Sequence, residues 1–281
     1  MRVGLHVSIA SGLDAAVDYA ARLGCTAIQI FSGNAKTYRV ASFEASAFAR
    51  FQERRLAAGI DPAAFHTSYL INLATDDAKI RAGSLRLLKN DLQVAAAGGV
   101  AYVNTHLGSY GNRPRAEGFA QVVTALEEAL SATPPGVTLV MENSAGAGQL
   151  CGGTLEELGE LVRAVGHPQL GVCLDTAHSW AAGYALNDKD GVDRFVETAA
   201  QTVSLERVCM FHFNDTQIPL GGHRDRHYHI GEGNIGFAGF RALAAHPELR
   251  DKVAILETPG DEADDARNMQ TVRMIFEGAL A

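Results

Sequence analysis

Cysteine is scarce in this chain of 281 residues: the four present, Cys25, Cys151, Cys173 and Cys209, are scattered without a C-x-x-C spacing. That excludes a disulfide framework and a cysteine-rich structural zinc site, and leaves the thiols as small buried apolar side chains. Long hydrophobic runs are missing as well. No window approaches the roughly 18 uninterrupted apolar residues of a membrane span, and the opening Met1-Arg2-Val3-Gly4-Leu5-His6 lacks the apolar stretch of an export signal. The expectation is a cytoplasmic protein with no membrane contact. Positive charge is in deficit, since 24 Lys and Arg stand against 32 Asp and Glu for a net charge of -8. Such a balance argues against a protein that coats nucleic acid non-specifically, although it counts no bound cation. No Pro/Ser-rich linker or low-complexity tract divides the chain. No Gly-x-Gly-x-x-Gly follows the first apolar run, which removes the main sign of a dinucleotide-binding open sheet.

What is present is a regular alternation. With 47% hydrophobic residues the chain can bury a substantial core. Eight short apolar or β-branched runs follow one another: Val3 to Val7, Thr26 to Phe31, Ile60 to His66, Val100 to His106, Val137 to Glu142, Leu170 to Asp175, Arg207 to Phe213 and Val253 to Glu257. They are spaced by about the length of a strand, loop and helix unit. Between them, segments 12–23, 78–97, 116–130 and 155–165 carry apolar residues three and four apart, as outer helices would. Gly24, Gly59 and Gly99 stand just before the next run, where a helix end calls for positive φ. The pattern predicts an α/β fold, a (β/α)8 TIM barrel formed as one domain over residues 1–281, with a doubly wound sheet as the rival.

Barrels of this kind assemble their chemistry at the C-terminal ends of the strands. There, runs three to eight offer His66, His106, Glu142, Asp175, His212 and Glu257. One strand-end histidine alone is more often a hydrogen-bonded structural residue. Six in succession are not, and carboxylates so crowded repel one another unless cations lie among them. Three further candidates come from the connecting segments: His178, three after Asp175 in a turn leaving strand six, and Asp225 and His227, whose spacing of two places both on one side of an extended loop. Five histidines and four carboxylates form a nitrogen and oxygen donor set suited to Zn²⁺ or Mn²⁺, and two or three ions are needed to use it.

Over nearly the whole chain, from Gly4-Leu5-His6-Val7-Ser8 to Leu256-Glu257-Thr258, the sequence resembles the endonuclease IV family of apurinic/apyrimidinic (AP) DNA repair endonucleases. The most specific segments are His66 to Leu73, Glu142-Asn-Ser-Ala-Gly146, Gly171 to His178, Phe211-His-Phe-Asn-Asp215 and Asp225-Arg-His227 followed by Gly231 to Gly236. All nine of that family's metal-ligand positions carry the expected residue type. The resemblance implies three zinc ions: one on His66, His106 and Glu142, a second on Glu142, Asp175, His212 and Glu257 with Glu142 bridging, and a third on His178, Asp225 and His227. It implies hydrolysis of the phosphodiester 5′ to an abasic site in duplex DNA, leaving a 3′-hydroxyl and a 5′ deoxyribose phosphate, by a protein expected to act as a monomer. Glu142 and Glu257 are the carboxylates expected to serve the reaction most directly. Metal loading would reverse the sign of the site and so admit a phosphate.

Residues expected to grip DNA are Asn34, Lys36, Tyr38 and Arg39 after strand two, Tyr69 just beyond His66, and the loop arginines Arg113, Arg115, Arg224 and Arg226. The family carries an arginine and a tryptophan where this chain has Lys36 and Tyr38, and lysine cannot reproduce a planar guanidinium stack. His6 and Asp215 are candidates for orienting the ligands. His167, His223, His229 and His246 read as surface residues and Trp180 as packing. Two rival functions share these residues: a sugar isomerase or epimerase on a related metal-binding barrel, and a non-catalytic protein retaining the fold. The set of His178, Asp225 and His227 speaks against the isomerase, which would have no use for it.

Overall fold

The protein is described by a computed structural model over residues 1–38 and 45–279. Arg39 lies outside the described residues. Eight parallel strands close on themselves in sequence order, β1(Arg2–Val7), β2(Ala27–Phe31), β3(Ala63–His66), β4(Tyr102–Thr105), β5(Thr138–Glu142), β6(Leu170–Asp175), β7(Val208–His212) and β8(Val253–Leu256), with β8 hydrogen-bonded back to β1. This is the (β/α)8 barrel that the alternation predicts. Outer helices follow the strands: α1(Leu13–Arg22), α2(Ala45–Ala57), α3(Ala78–Ala97), α4(Arg115–Leu130), α5(Leu155–Val165), α6(Thr176–Ala182), α7(Lys189–Thr202), α8(Gly236–Ala245) and α9(Glu262–Ala279). Among the described residues no helix is long and apolar enough to cross a membrane. Gly24, Gly59 and Gly99 adopt φ of 69°, 71° and 60° at the helix-to-strand turns, a region costly for any side chain with a Cβ.

Two apolar layers result. The larger lies between strands and helices, and α5 shows why: its buried Leu155, Leu158 and Leu161 recur every three residues on one face. The smaller fills the barrel itself with Ala27, Ala64, Val140, Cys173, Met210, Val253 and Ile255. Because side chains in a strand alternate with period two, the inward residue one layer nearer the C-terminal rim is found by adding two. That addition gives Gln29, His66, Glu142, Asp175, His212 and Glu257. Tyr102, packed against the same inner cluster, leads likewise to Asn104. The apolar filling therefore stops one layer below the rim, and the next layer is polar on every one of these strands. At the base of the barrel, β1 approaches β2 so closely that a Cβ on Gly4 would run into the Ala27 carbonyl oxygen.

Six of the strands are shorter than the apolar runs, while β6 coincides with its run and β1 is one residue longer. β3 begins at Ala63 rather than Ile60, because Pro62 has no N–H to give to the ladder. His106 and Glu257 stand one residue past the ends of β4 and β8. Segment 176–182, expected as a turn, is helix α6 starting directly at the end of β6, with the Asp175 carboxylate accepting the His178 N–H at 2.8 Å as its N-cap.

Candidate metal centre

The rim layer and the loops above it enclose a cavity of about 480 Å³ lined by His6, His66, Tyr69, His106, Glu142, His178, Asp225, Arg226, His227, Glu257, Thr258 and Pro259. Asp175 and His212 lie beneath it with no exposure to solvent. Donor atoms gather in three groups, each within 4.8 Å: His66, His106 and Glu142; Glu142, Asp175, His212 and Glu257; and Asp175, His178 and His227. Glu142 belongs to the first two. Asp225 joins the third group through Oδ1, which is 3.1 Å from His178 Nε2 and 3.4 Å from His227 Nε2. The nine candidate ligands thus converge, and Asp175 faces both the second and third groups.

Which ring nitrogen of each histidine faces the centre follows from the partner of the other. His66 Nδ1 lies 2.8 Å from the Thr67 carbonyl, His178 Nδ1 2.9 Å from that of Asn143, and His227 Nδ1 3.2 Å from that of Glu257. A carbonyl can only accept, so each Nδ1 carries the proton and each Nε2 presents a lone pair inward. Glu142 is buried, which by itself would raise its pKa. The charges of His106 and His212, with hydrogen bonds from His178 and His212, outweigh burial and hold the carboxyl well below the usual range. Burial would depress His178, but Asp175, Asp225 and Glu142 beside it push it well above the ordinary histidine value. Glu142 and His178 thus each favour the other's charged form.

These features test the fit of a divalent cation. His178 Nε2 and His227 Nε2 are buried without a hydrogen-bond partner, and a buried nitrogen aimed at several carboxylate oxygens is unfavourable unless a proton or a metal lies between. Nitrogen and carboxylate oxygen without thiolate suit zinc or manganese. Cys173 lies at the base of the site, and burial pushes its thiol up to about 12, far from a free thiolate nucleophile at neutral pH.

At the mouth, Tyr69 is 62% exposed and its ring packs against Phe31 and His66 at 5.3 and 5.8 Å between centroids. Arg226 is exposed on the cavity lining. Asn34 is exposed, and its side-chain oxygen accepts the Lys36 N–H at 2.8 Å, shaping the turn that presents the exposed Lys36. Tyr38 is spent on anchoring, its hydroxyl donating to the Leu70 carbonyl at 2.8 Å.

Two expectations are corrected. Arg115 is the first residue of α4 and pairs with Glu157 at 2.9 Å and Glu160 at 2.7 Å, while Arg113 donates to Gln121 and the Ala74 carbonyl, so neither is a loop arginine free for phosphate. Asp215 orients no histidine: its carboxylate accepts the backbone N–H groups of Thr216, Gly231, Gly233, Ile235 and Gly236 at 2.8 to 3.1 Å, clamping the segment that follows His227. His6 does face the site, with Nδ1 3.3 Å from Glu257 Oε1. Three residues that sequence reasoning missed are the buried amides Asn104, Asn214 and Gln29, which donate to Glu142, Asp175 and Glu257 at 2.6, 2.7 and 2.8 Å. Their one signal is position, two residues beyond an inward apolar side chain for Gln29 and Asn104, and two beyond His212 for Asn214.

Comparison with known proteins agrees with this geometry. The profile of the xylose isomerase-like TIM barrel family matches residues 17–276. A protein of Natranaerobius thermophilus named probable endonuclease 4 is 38% identical over 277 residues, covering 98% of each chain. The crystal structure of endonuclease IV from Thermus thermophilus superposes with a TM-score of 0.89 at 36% identity, over 99% of this chain and 100% of that one. A D-tagatose 3-epimerase-like protein shares the fold at a TM-score of 0.78 but only 20% identity, over 100% of this chain and 98% of that one. Matched along its whole length by relatives of one kind, and by epimerases in fold alone, the chain belongs to the endonuclease IV family.

Proposed function

We propose that this protein is a zinc-dependent AP endonuclease of DNA repair, which hydrolyses the phosphodiester 5′ to an abasic site in duplex DNA and leaves a 3′-hydroxyl and a 5′ deoxyribose phosphate. The observation that carries the reading is the convergence of three donor groups on one cavity, two of them sharing Glu142. Three ions would be held there, by His66, His106 and Glu142; by Glu142, Asp175, His212 and Glu257; and by His178, His227 and Asp225, with Mn²⁺ an alternative to Zn²⁺ at some positions. Divalent ions in such a site supply Lewis acidity toward a phosphate and acidify water for attack on it.

The chain's own residues do the rest. Glu142 and Glu257 both meet His212, whose Nδ1 is 3.2 Å from each carboxylate, and so hold the ligand geometry. Burial of Asp175 and His212 keeps water from competing beneath the site. Tyr69 and Arg226 line the cavity, and Asn34 and Lys36 flank Ala35, whose carbonyl accepts from Ser68 beside Tyr69; these four would contact the DNA flanking the abasic sugar, Tyr69 filling the gap in the base stack. The chain is read as one domain over 1–281, acting as a cytoplasmic monomer.

The test uses metal-replete protein and a duplex carrying a tetrahydrofuran abasic analogue, without added Mg²⁺. Incision immediately 5′ to the analogue is expected. An intact duplex, together with conversion of a ketose to its epimer or to an aldose, would transfer the assignment to the epimerases.

A further inference from the structure

Gln29 is fully buried, on β2 and in the polar rim layer, and the two ends of its amide engage the side chains of two different candidate ligands. Its Nε2 lies 2.8 Å from Glu257 Oε1 and 3.0 Å from His6 Nδ1, and its Oε1 lies 3.1 Å from His212 Nε2. A carboxylate has no proton to give, so the end facing Glu257 must be the NH₂ group. The other end is then the carbonyl oxygen, which can only accept. His212 must carry its proton on Nε2, leaving the Nδ1 lone pair 3.2 Å from Glu142 Oε1, 3.2 Å from Glu257 Oε2 and 3.9 Å from Asp175 Oδ2.

His212 is thus reversed relative to His66, His178 and His227, which turn Nε2 inward and fasten Nδ1 to main-chain carbonyls. Those three orientations are fixed by backbone that no side-chain substitution removes. That of His212 depends on one side chain. Glu257, standing one residue past the end of β8, is fastened by the same amide.

Resting on the metal-dependent reading above, we infer that Gln29 is a positioning residue: it selects the His212 tautomer and aims Glu257, and so sets the metal affinity of the group formed by Glu142, Asp175, His212 and Glu257. Asn104 and Asn214 each donate to a single carboxylate of the site and select no tautomer.

The experiment uses the zinc-loaded full chain. Nitrogen-15 spectra of the imidazoles in the wild type should show the proton of His212 on Nε2; a proton on Nδ1 overturns the inference. In Gln29→Met, which keeps the length and removes both polar ends, zinc competition with a chelator should show one ion per chain bound roughly 10- to 100-fold more weakly, as loss of a ligand-orienting partner generally produces. The other ions should be retained. For the abasic duplex, kcat should fall with KM within about twofold of wild type. Gln29→Glu restores an acceptor for His212 but places a carboxylate against Glu257, and should keep the Nε2–H signal while still weakening the same ion. Wild-type zinc affinity in both variants overturns the inference. Should Gln29→Met not fold, the wild-type spectrum and Gln29→Glu decide. If the wild type leaves the abasic duplex intact, the proposed function falls, whereas the tautomer and zinc measurements still judge Gln29.

Discussion

At the scale of the residue, Glu142 is the point on which the site turns. One oxygen lies 3.4 Å from His66 Nε2 and 3.8 Å from His106 Nε2, and the other lies 3.2 Å from His212 Nδ1 and 3.4 Å from His178 Nδ1. Glu142→Gln keeps the shape and removes the charge, and turnover on an abasic duplex should fall by about a hundred- to a thousandfold, the scale at which loss of one electrostatic stabiliser is felt. Far-UV circular dichroism should be unchanged. Wild-type turnover in this variant would remove Glu142 from the reaction. Asp91 in α3 makes a prediction of another kind. Burial, offset only in part by the Ser32 hydroxyl, raises its pKa from 3.8 to about 7. The folded state therefore holds a proton between those values that the unfolded chain has lost, and the stability this contributes is full below about pH 4 and is lost as pH rises through about 7. Asp91→Asn has no such loss. Urea unfolding should show the variant gaining on wild type by at least about 1.4 kcal/mol, one unit's worth of linkage, between pH 5 and pH 8; a constant difference would contradict the assignment.

At the scale of the element, the rim layer explains what was legible. Strand-end histidines and acids are visible in the sequence because they interrupt apolar runs, and adding two to an inward apolar residue places them at one height. Gln29, Asn104 and Asn214 were not legible, because an amide in or just past a strand resembles any surface residue until the register across neighbouring strands is known. The helical state of 176–182 was hidden for a related reason: its N-cap, Asp175, is also a site carboxylate, and as the end of an apolar run it signals a strand. Arg113 and Arg115 looked free because their partners, Gln121, Glu157 and Glu160, are 8 to 45 positions away along the chain. Asp215 shows how a loop is made rigid. It holds the 231–236 segment by backbone N–H groups, and its own carbonyl accepts the Tyr228 N–H at 2.7 Å, next to His227. Asp215→Asn replaces one acceptor oxygen by a donor and should destabilise the protein by about 2 to 3 kcal/mol, the worth of a charge-assisted bond left unmade. Hydrogen exchange should rise first at residues 228–236. Uniform protection there would contradict the clamp.

At the scale of the whole molecule, the formal charge of -8 and the proposed DNA substrate are reconciled if cations bound at the candidate centre offset its carboxylates on one face of the barrel. Among the described residues few basic side chains surround the mouth, so binding of an abasic duplex should weaken only shallowly with salt, with a slope well short of the roughly 6 to 10 phosphate contacts of a strongly basic binder. A steep slope would mean a basic surface elsewhere on the molecule. Chelation should also lower the melting temperature, since ions bound to the folded state alone stabilise it by mass action.

The most direct test is elemental analysis of protein purified without chelator, read alongside incision of the abasic duplex by the same sample. One ion for each of the three donor groups, zinc foremost, with incision abolished on stripping and restored on zinc addition, is the predicted result. A fully active protein that carries no stoichiometric transition metal, or one whose activity survives stripping, would contradict it.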